Sequence, residues 1–508
     1  MDVVIAGAGP NGLMLACELS LAGVRPVVLE RSAEITPEPR ANGLVGQVVR
    51  MLDRRGLYQR ITGTGQPPAP APSWMFAAMP LDLTGLAGNP VYVLPVPQAR
   101  LTQILAERAA ELGVEVRRGH ELADLSQDGE TVTATIDGPD GRYQLRTRYL
   151  VGADGGHSVT RKRLGIGFPG VNRDNSVSRS VNARPPAEWI DPASGALNVP
   201  GYGMIAPLRH HRTETGMFVW APFPGRPPML HTTETGVPGD TGLDQDKPLT
   251  LAEMEESIQR VLGVRVPLTP AGGGPQLMRR LIGTNTRLAE RYRDRRVLLA
   301  GDAAHVHSAT GGPGLNLGLQ DTINLGWKLG AVAAGRAPER LLDTYETERR
   351  PVGERVIMQT QAQAALTAPG PDVTALRELF AELLADPANV RHIAATLAGS
   401  DVRYESGGHP LVGRFAPDLE LRIDGGPVRL AELTWDGQPL LVDLTGAGLS
   451  VDGPWRYVRA GLAGGAAPDG VTALLLRPDT YVAWATSAAE PDADELAGLR
   501  AAGERWFG

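Results

Sequence analysis

An α/β fold, with a doubly wound parallel sheet interrupted by a mostly antiparallel insertion and followed by a small separate α/β unit, is predicted by three stretches of this 508-residue sequence. The first, VVIAGAGPNGLMLACELSLAGVRPVVLE at 3–30, reads as a buried strand, Gly7-x-Gly9-x-x-Gly12, a helix and a second strand ending on Glu30. The second, YLVGADGGHS at 149–158 with Arg161 just beyond, is another apolar strand that stops at a Gly-Asp turn. The third, VLLAGDAAHVHSATGGPGLNLGLQDTINLGWK at 297–328, repeats the strand-to-carboxylate turn at Asp302 and adds a glycine loop that opens a helix. Strand ends of a doubly wound sheet converge on the crevice where ligands bind, so the three turns define one candidate site.

Composition narrows the function classes. With 42% hydrophobic and 21% charged residues the chain can bury a large core divided among two or three domains. A net charge of −7, with Lys and Arg scattered, leaves no electrostatic footprint for nucleic acid. One cysteine, Cys17, excludes intramolecular disulfides, thiolate-metal clusters and a CxxC redox pair. His210, His211 and His231 stand at no recognisable metal spacing, so no metal site is expected. Without a signal-like amino terminus or an 18-residue apolar run, the expected location is cytoplasmic, with no membrane partner.

Taken in order, Gly7 makes the tight turn of the first unit, Gly9 lets backbone approach a pyrophosphate, and Gly12 allows close helix-strand packing. Glu30 is placed to accept from an adenosine ribose, with Arg31 beside it as a further candidate contact. Arg40, just before a helix, can neutralise a pyrophosphate or sit solvated. After a proline-rich loop at 67–73, residues 74–84 and 91–96 look extended, and Gln98 opens a helix where its amide can face a ligand or only cap. Residues 114–151 alternate as a hairpin or meander.

From 170 to 285 short extended runs and prolines predict a mostly antiparallel sheet with one core face and one face able to wall an apolar pocket. Trp74, Met204, Phe218, Trp220 and Phe223 are candidate pocket walls, with core packing as the competing role. A helical region follows from Gly318 to about Leu397, with interruptions expected near Pro338, Pro351 and Pro369. Short strands at 440–444, 471–476 and 481–485 and a closing helix at 492–506 make the last unit. The expected division is 1–170 with 286–400 for the first domain, 171–285 for the insertion and 401–508 for the third. Residues about 70–100 are candidate contributors to the inserted side.

A nicotinamide dehydrogenase would complete its dinucleotide fold in one contiguous stretch, whereas here the third relevant strand end arrives only at Asp302, after the insertion. A longer ligand, FAD, suits this order. Its adenosine would lie at the first turn, its ribityl hydroxyls at Asp302, and its ring against Gly311 to Gly314. Backbone N–H groups near Leu315 and Asn316 would stabilise charge on the reduced ring. No second GxGxxG follows a strand, so NADPH or NADH would bind transiently as co-substrate.

The three motifs in order, GAGPNG at 7–12, GADGGHSVTR at 152–161 and GDAAHVHSATGGPGLNLGLQD at 301–321, resemble the class A flavoprotein monooxygenases of the p-hydroxybenzoate hydroxylase superfamily. Within these the chain is most similar to bacterial aromatic polyketide hydroxylases of angucycline and anthracycline pathways. The resemblance implies a Rossmann-like FAD-binding domain, an inserted substrate domain and a thioredoxin-like C-terminal domain without redox cysteines, with a homodimer as one assembly. It implies that Gly7, Gly9, Gly12 and Glu30 bind the ADP half of FAD, that Arg40 lies near the pyrophosphate, and that Gln98 of the PQxxL stretch contacts the cofactor. Asp302 would bind the ribityl chain, and Asp154 and Arg161 match a motif shared between FAD and NADPH recognition. Many relatives carry two prolines where this chain has Ser308-Ala309.

The implied activity is FAD-dependent, NAD(P)H-consuming monooxygenation, in which O2 and a flavin C4a-hydroperoxide hydroxylate a phenolic or quinoid polycyclic polyketide. No side-chain base is assigned. The reactive edge is placed near Ser308, Gly311, Gly312 and Pro313. Baeyer–Villiger insertion into a ketone, hydroxylation that inactivates an aromatic antibiotic, and a flavin-bearing accessory without turnover are the alternatives. A halogenase is disfavoured because no WxWxIP stretch is present.

Overall fold

The computed structural model describes residues 1–35, 42–223, 225–236, 248–272, 277–307, 312–446, 448–449 and 451–508. The central sheet has six strands, in the order Arg293–Asp294, Val297–Leu299, Tyr149–Gly152, Val3–Ala6, Val27–Glu30 and Glu115–Arg118, parallel except at the Arg293–Asp294 edge. Ala6 pairs in register with Gly152, and Gly152 with Leu299, so the three motif turns leave the sheet side by side. The uninterrupted apolar run of the first strand follows from burial on both faces. Val3 and Ile5 pack among the helices Pro10–Leu21, Gln98–Glu111 and Pro313–Ala333, while Val4 and Ala6 pack against Leu122, Val132, Ala134 and Ile136. Those four belong to the meander Glu121–Gln127, Val132–Gly138 and Gly141–Thr147.

The insertion is a seven-stranded antiparallel sheet whose long members are Gly170–Arg184 and Met278–Leu288. One face carries Val181, Ala183, Phe218, Trp220 and Leu230 against Met254, Ile258 and Val261 of the helix Leu251–Leu262. The proposed pocket role of Phe218 and Trp220 is thereby corrected. They are 0% and 1% exposed on the helix-covered side, and the indole N–H of Trp220 donates to Gly195 O at 2.9 Å. Met204 is also displaced from its expected role, standing 64% exposed on the hairpin Leu197–Val199 and Gly203–Ile205. His305–Val306, from beyond the insertion, adds a strand beside Met278–Leu288 and so ties the sheet to the chain just before the glycine loop.

The helical stretch divides into Pro313–Ala333, Asp343–Thr367, Pro371–Leu383 and Pro387–Ala398. The interruption expected at Pro351 does not occur. Pro351 and Thr347, the residue whose carbonyl loses its N–H partner, are both exposed, so water can satisfy that carbonyl while the opposite side stays packed.

The C-terminal sheet, in the order Arg456–Arg459, Leu440–Asp443, Ala473–Leu476 and Val482–Thr486, is backed by Ala493–Phe507. Buried charge joins it to the first domain. Arg55 donates to Glu18 at 2.6 and 2.8 Å and to the Thr434 and Pro478 carbonyls. Arg477 grips Glu348 at 2.7 and 2.9 Å, and Lys328 reaches the same carboxylate at 2.7 Å.

Burial alone would raise the Glu348 carboxyl, but Arg477 and Lys328 hold it down at about 2, below the ordinary 4.5. A carboxyl depressed in the folded state stabilises above its unfolded value, and that contribution is lost as pH falls toward 2. Glu348→Gln is expected to lose about 3–5 kcal/mol at neutral pH, because buried Lys328 loses its paired carboxylate and Arg477 is left with Asp479 alone. Urea unfolding across pH 7 to about 3 should show a large gap from the parent protein at neutral pH that narrows in acid.

Candidate cofactor and substrate site

The first turn is built by backbone crowding. Gly7 has φ +106°, and a Cβ there would overlap the Ala153 carbonyl; a Cβ at Gly12 would overlap the Gly7 carbonyl oxygen. Gly9 differs, since its Cβ would meet nothing within 4 Å. Open space therefore faces the start of Pro10–Leu21, whose N-terminal N–H groups receive no side-chain cap from Gly9 and are available to an anion. Glu30 is held toward this turn, one oxygen accepting from Ala8 N–H at 2.8 Å and the other from Ser32 N–H at 2.9 Å. Arg31 is exposed next to it, and Arg40 lies outside the described residues.

At the second turn Asp154 accepts from the Thr160 N–H and hydroxyl, both at 3.0 Å, while its other oxygen is buried without a hydrogen bond. Arg161 is 5% exposed and donates to the Ala303 and Gly156 carbonyls at 2.9 Å, with its guanidinium 3.7 Å above the Phe168 ring. Its charge is used to tie the second turn to the third.

The third turn brings exposed Asp302 out of the sheet next to Gly152. Here sequence reasoning missed Asn11. Its amide fills the space that a Cβ at either Gly301 or Gly318 would need, so it wedges the first motif against both ends of the third. The signal was available in the two glycines flanking the loop. Gly312, at φ +71°, starts the helix Pro313–Ala333. Asn316 donates to Gly312 O at 2.8 Å and accepts from Val45 N–H at 3.1 Å, stapling the loop exit to the strand Gly43–Val45. Gly314 and half-buried Leu315 lie in that first turn, and Gln98 starts its helix as expected. Ser308 and Gly311 lie outside the described residues.

Buried His305 meets Asp321 at 2.6 Å, Asp321 accepts from Arg349 at 2.8 Å, and Arg349 donates to the Tyr404 hydroxyl at 3.0 Å. This chain anchors the strand that precedes the loop. Of the expected pocket residues, Trp74 lines a cavity with Val45, Asn316 and Gln320. Phe223 is half-buried beneath Arg226, which reaches Asn42 at 3.3 Å.

An uncapped helix start facing open space, a carboxylate at the end of the second strand and another at Asp302 fit an extended dinucleotide. Residues 1–360 match the family model described as FAD binding domain, and 409–508 match that described as aromatic-ring hydroxylase, C-terminal. The chain belongs to this FAD-binding family. It is an FAD-dependent monooxygenase of the p-hydroxybenzoate hydroxylase-like class. It is similar over 100% of its length to 99% of a 12-dehydrotetracycline 5-monooxygenase/anhydrotetracycline 6-monooxygenase of Streptomyces rimosus, at 41% identity. A dialkyldecalin synthase of Streptomyces rugosporus is 36% identical over 100% of this chain and 98% of its own. The solved anhydrotetracycline hydroxylase of Streptomyces rimosus superposes with a TM-score of 0.85 at 39% identity, covering 100% of this chain and 99% of that one.

Because Asn11 couples both motifs, Gly318→Ala is expected to weaken FAD retention by about tenfold or more, on the order of 1.4 kcal/mol. The ratio of flavin to protein absorbance after gel filtration, with circular dichroism as the folding control, checks it.

Proposed function

We propose that this monooxygenase hydroxylates a polycyclic aromatic polyketide, phenolic or quinoid, using NADPH or NADH as reductant. The observation that carries the reading is the full-length similarity to a tetracycline-pathway oxygenase. It is joined by the placement of the inserted sheet's helix-free face against the first domain. There His210 contacts Met75 at 3.1 Å, and Arg212 holds the Ala368 carbonyl at 2.7 and 3.0 Å. These contacts aim that face of the sheet toward the FAD domain.

FAD, when bound, supplies the oxygen-activating redox chemistry. Gly7, Gly9, Gly12 and Glu30 would hold its ADP half, Asp302 its ribityl hydroxyls, and the N–H groups at Gly314, Leu315 and Asn316 the electron-rich edge of its ring. The chain's further share is to orient the aromatic ring over that edge and to keep water away while oxygen is transferred. Trp74 and the helix-free sheet face would make the walls. The C-terminal unit, read as thioredoxin-like, serves as a scaffold through Arg55, Arg477 and Glu348. A cytoplasmic homodimer with domain limits near 170, 285 and 400 completes the proposal.

The similarity to a dialkyldecalin synthase favours one second reading, in which the flavin fold shelters a ring-forming substrate without turnover. Oxygen consumption separates the two. With FAD-loaded protein, an anhydrotetracycline-type tetracyclic phenol is expected to stimulate NADPH oxidation on the order of tenfold or more over the basal rate and to yield a product heavier by one oxygen. Stoichiometric flavin with no stimulation by a panel of polycyclic phenols would overturn the hydroxylase reading.

A further inference from the structure

The helix-free face of the inserted sheet carries a continuous line of groups that exchange protons. Ser180 Oγ lies 2.8 Å from His231 Nδ1, His231 Nε2 lies 3.0 Å from Thr233 Oγ1, and Thr233 Oγ1 lies 3.1 Å from Ser178 Oγ. The strand pairing explains the line, because Ser180 stands opposite His231 and Ser178 opposite Thr233, alternating with Arg179 and Thr232 that point to the helix side. All four groups are half-buried, unlike the fully covered residues behind them.

Charge is distributed unevenly across the same strands. On the helix side Arg179 and Arg280 are neutralised by Glu234 and Glu253. On the helix-free side Arg279 stands opposite Ser180 in the strand pairing, and among the described residues no carboxylate pairs with it. A half-buried arginine paired across from a serine, without an anion of its own, suits an anionic oxygen supplied by a ligand.

We propose that Ser180, His231, Thr233 and Ser178 form a relay that removes the phenolic proton of the bound aromatic substrate, and that Arg279 holds the resulting phenolate oxygen. The proposal rests on the reading of this face as a wall of the substrate site. The transfer is balanced by a shift along the chain. The phenol O–H bond breaks as its proton joins Ser180 Oγ, Ser180 passes its own proton to His231 Nδ1, Nε2–H passes to Thr233, Thr233 passes to Ser178, and Ser178 releases a proton to solvent. The phenol oxygen keeps the electron pair and the imidazole ends neutral in the other tautomer.

Burial pushes the His231 imidazole down to about 4, and nearby His210 adds to the effect. Such a ring passes a proton through rather than storing it. Among the described residues the titratable groups facing it are few. His210 lies on the same face beyond Val219, Arg279 lies beyond Ser180, and Met75 from the flanking strand is uncharged. Arg212 on that face is committed to the Ala368 carbonyl, and Glu234 lies on the reverse face with Arg179 and Arg260. The value of the arrangement is chemical, because a phenolate is a far more electron-rich acceptor of oxygen than a phenol.

The test uses FAD-loaded protein under argon, without nicotinamide, and 1-hydroxyanthraquinone as probe, whose visible band moves to the red on ionisation. The bound probe is expected to ionise about one to three pH units below the free probe, and Arg279→Met to return it to the free value. In a pH jump, His231→Ala is expected to slow ionisation of the bound probe on the order of a hundredfold, with added imidazole restoring the rate. Thr233→Val, which removes one hydroxyl and keeps the shape, should slow it similarly. No binding of the probe, ionisation unchanged in Arg279→Met, or wild-type rates in both His231→Ala and Thr233→Val would each overturn the proposal, and slow variants that imidazole fails to rescue would count against a relay. Oxygen consumption is not involved, so a protein that ionises the probe yet never turns over NADPH would sink the hydroxylase reading and leave the relay standing.

Discussion

Backbone contact at the first turn is the constraint on which the site depends. The carbonyl oxygens of Gly7 and Ala153 occupy the space that Cβ atoms at Gly12 and Gly7 would need, so strand, helix and the neighbouring strand end approach more closely than side chains would allow. That closeness leaves the helix start at Gly9 open to a ligand and brings Asn11 within reach of Gly301 and Gly318. One side chain then registers two motifs about 300 residues apart in sequence. If the turn were looser, the proposed cofactor contacts Glu30, Asp302 and Asn316 would no longer be held together.

The inserted sheet uses its two faces for different work. Its helix-covered face is apolar at Phe218, Trp220 and Leu230 and has its buried arginines matched with Glu234 and Glu253. Its other face stays half-open and polar, with serine, threonine, histidine and an arginine on adjacent strands. A period of two along each strand is enough to separate core from helix-free face. The strand His305–Val306 joins the sheet to the first domain.

The third domain reads as a support. Arg55, Arg477 and Glu348 are buried where it meets the first domain, and the chain from His305 through Asp321 and Arg349 to Tyr404 runs from the loop to the segment that leads into it. Paired buried charges of this kind hold a specific geometry more than they add net stability. This explains why a domain without redox cysteines accompanies a flavin site.

From the sequence alone, the three strand-to-turn motifs, their order, the cofactor class and the antiparallel nature of the insertion were all legible, because each rests on local rules: glycine spacing, apolar runs and alternation. The helix through Pro351, the core placement of Phe218 and Trp220, the diversion of Arg161 to the Ala303 carbonyl and the wedge made by Asn11 were not. Each of those depends on which face of an element another element covers, and the covering partner is distant in the chain. A strand pattern states that Trp220 and His231 lie on opposite faces of adjacent strands, but only the packing of Leu251–Leu262 decides which of the two is core and which stays on the helix-free face.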